Sequence, residues 1–235
     1  MVASKGREQQ MNQLALDFSV VESQKPIMKR HDFDRYDSPH WFVTHLPNYI
    51  KLEGIIGEPC KGSGNISNLL PYFDRVGYHW TNDLDAAVDA DFSLDAADPK
   101  SWEQLPEADW IITNPPFNTA LPILKNSLNH ARLGVIFFLR LSFVEPTEER
   151  GQWLFENPRN LDLVYPRFKF RKGKDGKQWQ TDSVPIIAMI WRKDTSEARG
   201  SVTIPQSHIL GFHDNPENAP SFDRQAEILR QVQNG

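Results

Sequence analysis

Cysteine is almost absent from this chain: Cys60 is the only one among 235 residues, so no intramolecular disulfide can form. Cysteine and histidine are nowhere grouped at zinc-site spacing, and no metal is expected. Long apolar runs are missing too. None approaches the roughly 20 residues of a membrane span, and the N-terminus has no apolar signal core. A large excess of one charge is also lacking. The net charge of -5 argues against indiscriminate coating of nucleic acid but leaves room for a local basic surface. These absences together predict a soluble, cytoplasmic protein with no membrane partner. The length is ample for a substantial core.

Residues 1–25 are polar and aperiodic and read as a flexible N-terminal arm. Within it, Gln13-Leu14-Ala15-Leu16-Asp17-Phe18 spaces its apolar residues for docking as an extended peptide. The segment resembles the short peptide by which bacterial replication and repair proteins hold the sliding clamp. That resemblance implies the clamp as a partner through Gln13, Leu14, Leu16 and Phe18. A segment folded back on the domain is an equal alternative.

Residues 26–193 carry the periodic pattern of a folded domain, with order expected from near His31. Ser38-Pro39 predicts a helix start, with Ser38 as N-cap and Pro39 at the first helical position. Strands are predicted at Gly54–Gly57, His79–Thr81, weakly at Asp91–Leu94, and at Asp109–Ile112, Val135–Leu141, Leu161–Tyr165 and Val184–Trp191. Helical stretches at Asn65–Phe73, Trp102–Leu105, Leu121–Ala131 and Thr147–Glu156 separate most of them. Alternation of this kind predicts an α/β fold with a mostly parallel sheet. The last two strands have no helix between them and predict an antiparallel hairpin at the sheet edge. Residues 194–235 read as a C-terminal extension with one amphipathic piece, Asp223–Val232.

Chemistry concentrates at strand ends. Asp109 to Ile112 stops at Asn114-Pro115-Pro116-Phe117, where two prolines remove backbone donors and hold the chain extended. A polar amide and an aromatic therefore stand on a stiff turn at a carboxyl strand end, where open α/β sheets bind ligands. After the first strand, Glu58-Pro59-Cys60-Lys61-Gly62-Ser63-Gly64 offers backbone amides unshielded by Cβ atoms. The three-glycine dinucleotide fingerprint is missing. Asp83 lies roughly 20 residues further on, where an acid typically grips ribose hydroxyls. Glu58 supplies a carboxylate for an ammonium group. Ribose and ammonium without a diphosphate grip suggest S-adenosylmethionine.

With these residues in view, the chain resembles the class I S-adenosylmethionine-dependent methyltransferases, closest to the gamma-type DNA adenine-N(6) enzymes. Tyr36-Asp37-Ser38-Pro39, Glu58-Pro59-x-x-Gly62-x-Gly64, Asp83, Asp91-Phe92 and Asn114-Pro115-Pro116-Phe117 occur in that family's order. The resemblance implies a Rossmann-like methyltransferase sheet and a cofactor site formed by Tyr36, Ser38, Pro39, Glu58, Pro59, Cys60, Gly62, Gly64, Asp83, Asp91, Phe92 and Asn114. Within it Ser38 and Glu58 hold the methionine end, Asp83 the ribose, and Asp91 and Phe92 the adenine. Asn114, Pro115, Pro116 and Phe117 form the catalytic motif, with Phe117 stacking on the target base. Ser38 stands where threonine is usual, keeping the hydroxyl and losing a methyl.

Arg159, Arg167, Lys169, Arg171, Lys172, Lys174 and Lys177, interleaved with Phe168, Phe170 and Trp179, predict a nucleic-acid surface on a hairpin tip. Family position makes Phe168 the second base-stacking aromatic. The alternative is a solvated hairpin whose lysines guard an edge. Arg140 either lines the site or is structural. The expected activity is methylation of adenine's exocyclic amine in DNA. With no separate recognition domain in view, the expected sequence preference is short or relaxed. RNA adenine or guanine amines are the alternative substrates, and a catalytically silent nucleic-acid and clamp-binding module is the alternative from another class.

Overall fold

The structure is a computed structural model that describes residues 38–172, 179–181, 185–195 and 200–234. The arm with its Gln13 to Phe18 peptide, and Tyr36, lie outside the described residues, as do Lys174 and Lys177.

A seven-stranded sheet has the order β2-β1-β3-β4-β8-β5-β9. Its first four neighbours are β2 (Val76–Thr81), β1 (Gly54–Glu58), β3 (Ala108–Thr113) and β4 (Ala131–Arg140). They run parallel, so their carboxyl ends share one edge. Strand β3 is buried along its whole length. Trp110 and Ile112 enter one core layer and Ile111 the other. Strand β4 repeats this, with Ile136 and Phe138 on one side and Val135, Phe137 and Leu139 on the other. This is the period-2 alternation of strands covered on both faces.

One layer is built on α1 (His40–His45), whose Trp41 and Phe42 pack with Leu69, Leu70 and Phe138. The other rests on α2 (Ala120–His130), which buries Ile123 and Leu124. After β4 comes α3 (Glu148–Glu156), where the Thr147 hydroxyl accepts the Arg150 amide at 3.3 Å. This is an ordinary N-cap followed by two acids in the first turn.

The far half of the sheet departs from expectation. Strand β8 (Ile186–Arg192) is antiparallel to both β4 and β5 (Leu161–Val164) and lies between them. The pair predicted as an edge hairpin is therefore interior. The edge is β9 (Gly200–Thr203), parallel to β5. Residues read as a C-terminal extension thus complete the sheet, and α4 (Phe222–Asn234) packs against α1, burying Ile228 and Leu229. Their apolar residues are sparse between prolines and asparagines, so periodicity alone carried little signal.

Three local readings are also corrected. Asn65–Phe73 is no α-helix: residues Ser67–Tyr72 form a 3₁₀ helix with Pro71 inside, where the proline removes the donor an α-turn needs. The N-cap of α1 is Pro39, and Ser38 caps nothing. The third strand contracts to a single bridge, Asn82 with Phe92.

Candidate active site

Three loops leave the carboxyl edge of β1, β2 and β3 at nearly one level. Register aligns Glu58 with Thr81, Gly57 with Ile111, and Thr113 with Phe137. Asn82, fully buried, binds the first two of these loops together. Its Nδ2 donates to the carbonyls of Pro59 (2.9 Å) and Leu94 (3.0 Å), and its Oδ1 accepts the Leu94 amide (2.9 Å). Its backbone continues the ladder, with Asn82 N donating to Glu58 O and Lys61 N to Asn82 O, both at 2.9 Å. No motif marks this residue, and reading the sequence for charges and glycines passed over it. The available signal was a polar amide at the end of an apolar strand.

Asp83 stands beside the glycine loop and is 1% exposed. Its Oδ2 accepts the Gly62 amide at 2.8 Å and its Oδ1 the Asp85 amide at 3.0 Å. The loop's shape therefore depends on the acid expected at the ribose. Gly62 (φ +55°) and Gly64 (φ +78°) occupy the left-handed region that only glycine enters cheaply. A Cβ on Gly62 would meet nothing within 4 Å, so its Cα faces open space. The Lys61 ammonium reaches across to the Asp89 carbonyl. Lys61, Gly62, Ser63, Asn68, Asp85 and Val88 are among the residues lining an open cleft of about 400 Å³.

Glu58 is 1% exposed, and its Oε2 accepts the Ser67 amide at 2.9 Å. Burial pushes its carboxyl up to about 8, against the opposing pull of the Ser67 hydrogen bonds and of Lys61. Nearby Asp83 adds to the rise. Ser38 is brought to the same loop by Asn65, whose Nδ2 donates to the Ser38 carbonyl at 3.0 Å. The Ser38 Oγ is buried and has no hydrogen-bond partner, an unusual state for a hydroxyl. Cys60 is half-buried. Asp91 turns one oxygen onto β2, where Oδ2 accepts the Thr81 amide (2.7 Å) and hydroxyl (2.8 Å). Phe92 is half-buried and edge-on to Trp80.

Asn114 follows the fully buried Thr113 and is half-buried, Pro115 is buried, and Pro116 and Phe117 are half-buried. The Pro116 carbonyl accepts the Thr119 amide at 3.1 Å, closing the turn that starts α2. Arg140, the last residue of β4, sets its guanidinium carbon 4.6 Å from the centroid of the Phe117 ring. The next amide, Leu141 N, donates to Pro185 O at 2.8 Å, tying this corner to the start of β8.

The segment between β5 and β8 leaves and rejoins the sheet at this same edge, since Val164 and Arg140 both pair beside the start of β8. It forms an antiparallel ribbon of β6 (Lys169–Lys172) and β7 (Trp179–Thr181), with Arg171 opposite Gln180 and Lys172 opposite Trp179. Arg167 is exposed. Lys169 is half-buried and pairs with Asp214 at 3.4 Å. Two expectations fail here. Phe168 is not a base platform: it is 6% exposed and packs edge-on to Trp41 (5.5 Å) and Phe42 (5.3 Å). Its neighbours on α1 claim its ring. Arg159 lies before β5, at the opposite end of the sheet, and is held by Asp162 at 2.7 and 2.9 Å.

No family model matches this chain, and no curated protein matches it. Solved structures do. The methyltransferase subunit of a type I restriction-modification system from Streptococcus thermophilus aligns over 85% of this chain and 52% of its own, with a TM-score of 0.56 and 13% identity. The chain thus spans about half of that protein's length. A structure described as a putative class I S-adenosylmethionine-dependent methyltransferase from Listeria monocytogenes aligns over 83% of this chain and 69% of its own, at TM-score 0.49 and 12% identity. The first likeness, together with the strand order, shows the Rossmann-like methyltransferase fold. Among the described residues no helix is long and apolar enough to cross a membrane, and no cluster of His, Cys, Asp and Glu is arranged for a metal.

Proposed function

We propose that this chain transfers a methyl group from S-adenosylmethionine to the exocyclic amino group of adenine in DNA, with short or relaxed sequence preference. The observation that carries this reading is the arrangement of Asn114-Pro115-Pro116-Phe117 at the carboxyl end of β3, beside the glycine loop of β1. The fold likeness supports the reaction class. The basic ribbon at the same edge supports a nucleic-acid substrate.

The residues fit the cofactor. The buried, unpartnered Ser38 Oγ is a donor suited to the methionine carboxylate. Glu58 suits the ammonium, and the bare Cα of Gly62 leaves room for close approach. Asp83, held against the loop, is at hand for the ribose. When bound, the cofactor would supply an electrophilic methyl group on a sulfonium sulfur, whose carbon–sulfur bond breaks as the nitrogen–carbon bond forms and which leaves as a neutral thioether.

The target amine is a poor nucleophile because its lone pair is delocalised into the purine. Acceptance of its two N–H bonds by the Asn114 side-chain oxygen and the Pro115 carbonyl pulls the nitrogen toward a pyramidal form and aims the lone pair. Asn114 is thus an orienting acceptor rather than a base, and a preorganised one, because two prolines stiffen its turn. Once the nitrogen–carbon bond has formed, the extra proton leaves the cationic amine to water. Phe117 offers the flipped base a stacking partner that offsets part of the unstacking cost.

Incubation with labelled cofactor and parallel DNA, RNA and protein substrates tests this. Label in DNA that disappears in Asn114→Ala is expected. Label in RNA or protein alone rejects the substrate. Deleting residues 1–25 is expected to spare transfer to short oligonucleotides and to remove binding to a sliding clamp.

A further inference from the structure

Helix α1 follows Ser38-Pro39 directly and buries every residue from Trp41 to His45. Trp41 and His45 stand one helical turn apart and so share a face. The segment after β9 meets that face. The Trp41 ring lies 5.2 Å from Phe212, His208 is within electrostatic reach of His45, and α4 packs on the same helix.

Four buried polar atoms of these two elements have no hydrogen-bond partner: Trp41 Nε1, His45 Nε2, His213 Nε2 and Gln225 Oε1. Their polarity sorts by element. An indole N–H only donates. The Asn48 amide nitrogen donates to His45 Nδ1 at 3.1 Å, so the neutral ring carries its proton on Nε2. On the other side, His213 Nδ1 donates to the Asn215 carbonyl at 2.9 Å, which leaves Nε2 a bare acceptor. Gln225 gives its amide nitrogen to the Pro220 carbonyl at 2.7 Å and keeps its oxygen unmet. Burial pulls both rings below the usual histidine pKa, with His208 adding to the fall at His45 and the Asn215 bond and Asp214 opposing it at His213. Both are therefore neutral near neutrality, as these roles require.

Two donors on α1 thus belong to the same contact as two acceptors on the C-terminal segment, and none is paired. From this we propose that Trp41 and His213 are positioning residues for cofactor binding. The contact has a second, closer register, selected when Ser38 engages the cofactor, in which Trp41 Nε1 donates to His213 Nε2 and His45 is left to meet Gln225. The inference rests on the reading of Ser38 as a cofactor ligand, and it involves no covalent change.

Unpaired buried polar groups destabilise the arrangement that holds them, and a shift that joins donors to acceptors removes the cost on both sides at once. Packed helices move in discrete steps rather than deforming, so a pull on Ser38 is passed to Trp41 along one short helix. Phe212 against the indole puts His213 one residue away, which selects this pair. A water lodged between indole and imidazole would satisfy both groups without movement.

The test is a double-mutant cycle. Trp41→Phe removes the donor. His213→Asn removes the acceptor and keeps an amide nitrogen for the Asn215 carbonyl, whereas His213→Gln restores an acceptor near the Nε2 position. Calorimetry reads S-adenosylhomocysteine affinity, and urea unfolding without ligand reads stability, for the wild type, each single variant and the double variant. The cycle cancels the volume each change removes and leaves the pair. Each single change is expected to weaken binding about tenfold, the size of one buried hydrogen bond, and the double change no further. His213→Gln should recover most of the loss, and the unfolding effects should be additive.

Additive losses of affinity, or none, overturn the proposal. Coupling already present in unfolding without ligand also overturns it, because a standing contact or a bridging water then joins the pair. Should Trp41→Phe not fold, the two His213 variants decide: equal affinities for His213→Asn and His213→Gln overturn the pairing. Ser38→Ala separates the proposal from the reading beneath it. Unchanged affinity in Ser38→Ala with a non-additive cycle rejects Ser38 as a ligand and keeps the pair. Weakened affinity in Ser38→Ala with an additive cycle rejects the pair alone.

Discussion

Two buried carboxylates, one at each edge of the sheet, contrast a framework end with the end that carries the candidate site. Asp109, at the start of β3, accepts the Ile55 amide at 2.8 Å and the Arg132 guanidinium at 3.0 and 2.8 Å. Its charge is answered within the protein. Glu58, at the end of β1, is buried more deeply still, takes its hydrogen bonds from Ser67, whose amide lies at 2.9 Å, and has its carboxyl driven by burial up to about 8. Near it lie an unpartnered Ser38 hydroxyl and Gly62, open to the cleft. A paired carboxylate holds strands together. One buried at a strand end without an ion pair is suited to a ligand's ammonium group.

The largest expected effect breaks the site and leaves the framework alone. Asn114→Ala should lower the transfer rate by about 10² to 10³-fold. Calorimetry should find cofactor affinity nearly unchanged and thermal unfolding within a few degrees of wild type. Retained activity would contradict the orienting role.

Next come the two carboxylates themselves. Asp109→Ala should cost about 2 kcal/mol in urea unfolding, from the stranded Ile55 amide and the lost Arg132 contact. The half-exposed Arg132 makes the ionic share small. Transfer per folded molecule should be unaffected. Glu58→Gln should do the reverse, weakening cofactor binding at least tenfold with little change in unfolding. A common effect of both changes on stability would erase the distinction between the edges.

The pH dependence sharpens the same contrast. Glu58 has a raised carboxyl in the folded state, so the folded protein holds a proton that the unfolded chain has lost between about 4.5 and about 8. Stability should therefore fall as pH rises through that window, by up to about 1.4 kcal/mol per pH unit, and level off above it. Ligand ammonium binding favours the ionised form, so cofactor binding near neutrality should release a proton. Titration calorimetry in buffers of different ionisation enthalpy reads that proton. Its persistence in Glu58→Gln would assign it elsewhere.

Smaller effects follow for the loop. Asn82→Ala removes three hydrogen bonds and leaves the Leu94 and Pro59 groups unanswered, which should cost about 1–3 kcal/mol. Gly62→Ala should cost only about 1 kcal/mol for its left-handed backbone. Its Cβ would project into the cleft, so cofactor affinity should fall more than stability does.

Much of the site was legible because its chemistry is local. Asn114-Pro115-Pro116-Phe117 announces a stiff polar turn wherever it occurs, and apolar runs before it and before Glu58 put both at strand ends. Phe168 misled for the opposite reason. A phenylalanine among lysines looks like an exposed platform until α1 delivers Trp41 and Phe42 to its ring from more than a hundred residues away. Asn65–Phe73 misled because an apolar helical period outweighed Pro71, which tightened the turn to 3₁₀.

The sequence by itself determined the alternation of strands and helices, the strand ends at which polar loops begin, and the residue types offered to a cofactor. Hydrophobic period, proline and glycine act over a few residues and need no partner to be read. Only the tertiary structure decided that β8 slots between β4 and β5, and that residues 200–234 complete the sheet and cover α1. It alone decided that Asn82 joins the loops after β1 and β2 and that Arg140 rests on Phe117. Each of these depends on pairing between segments far apart in the chain, where sequence pattern carries no register and packing alone selects the neighbour.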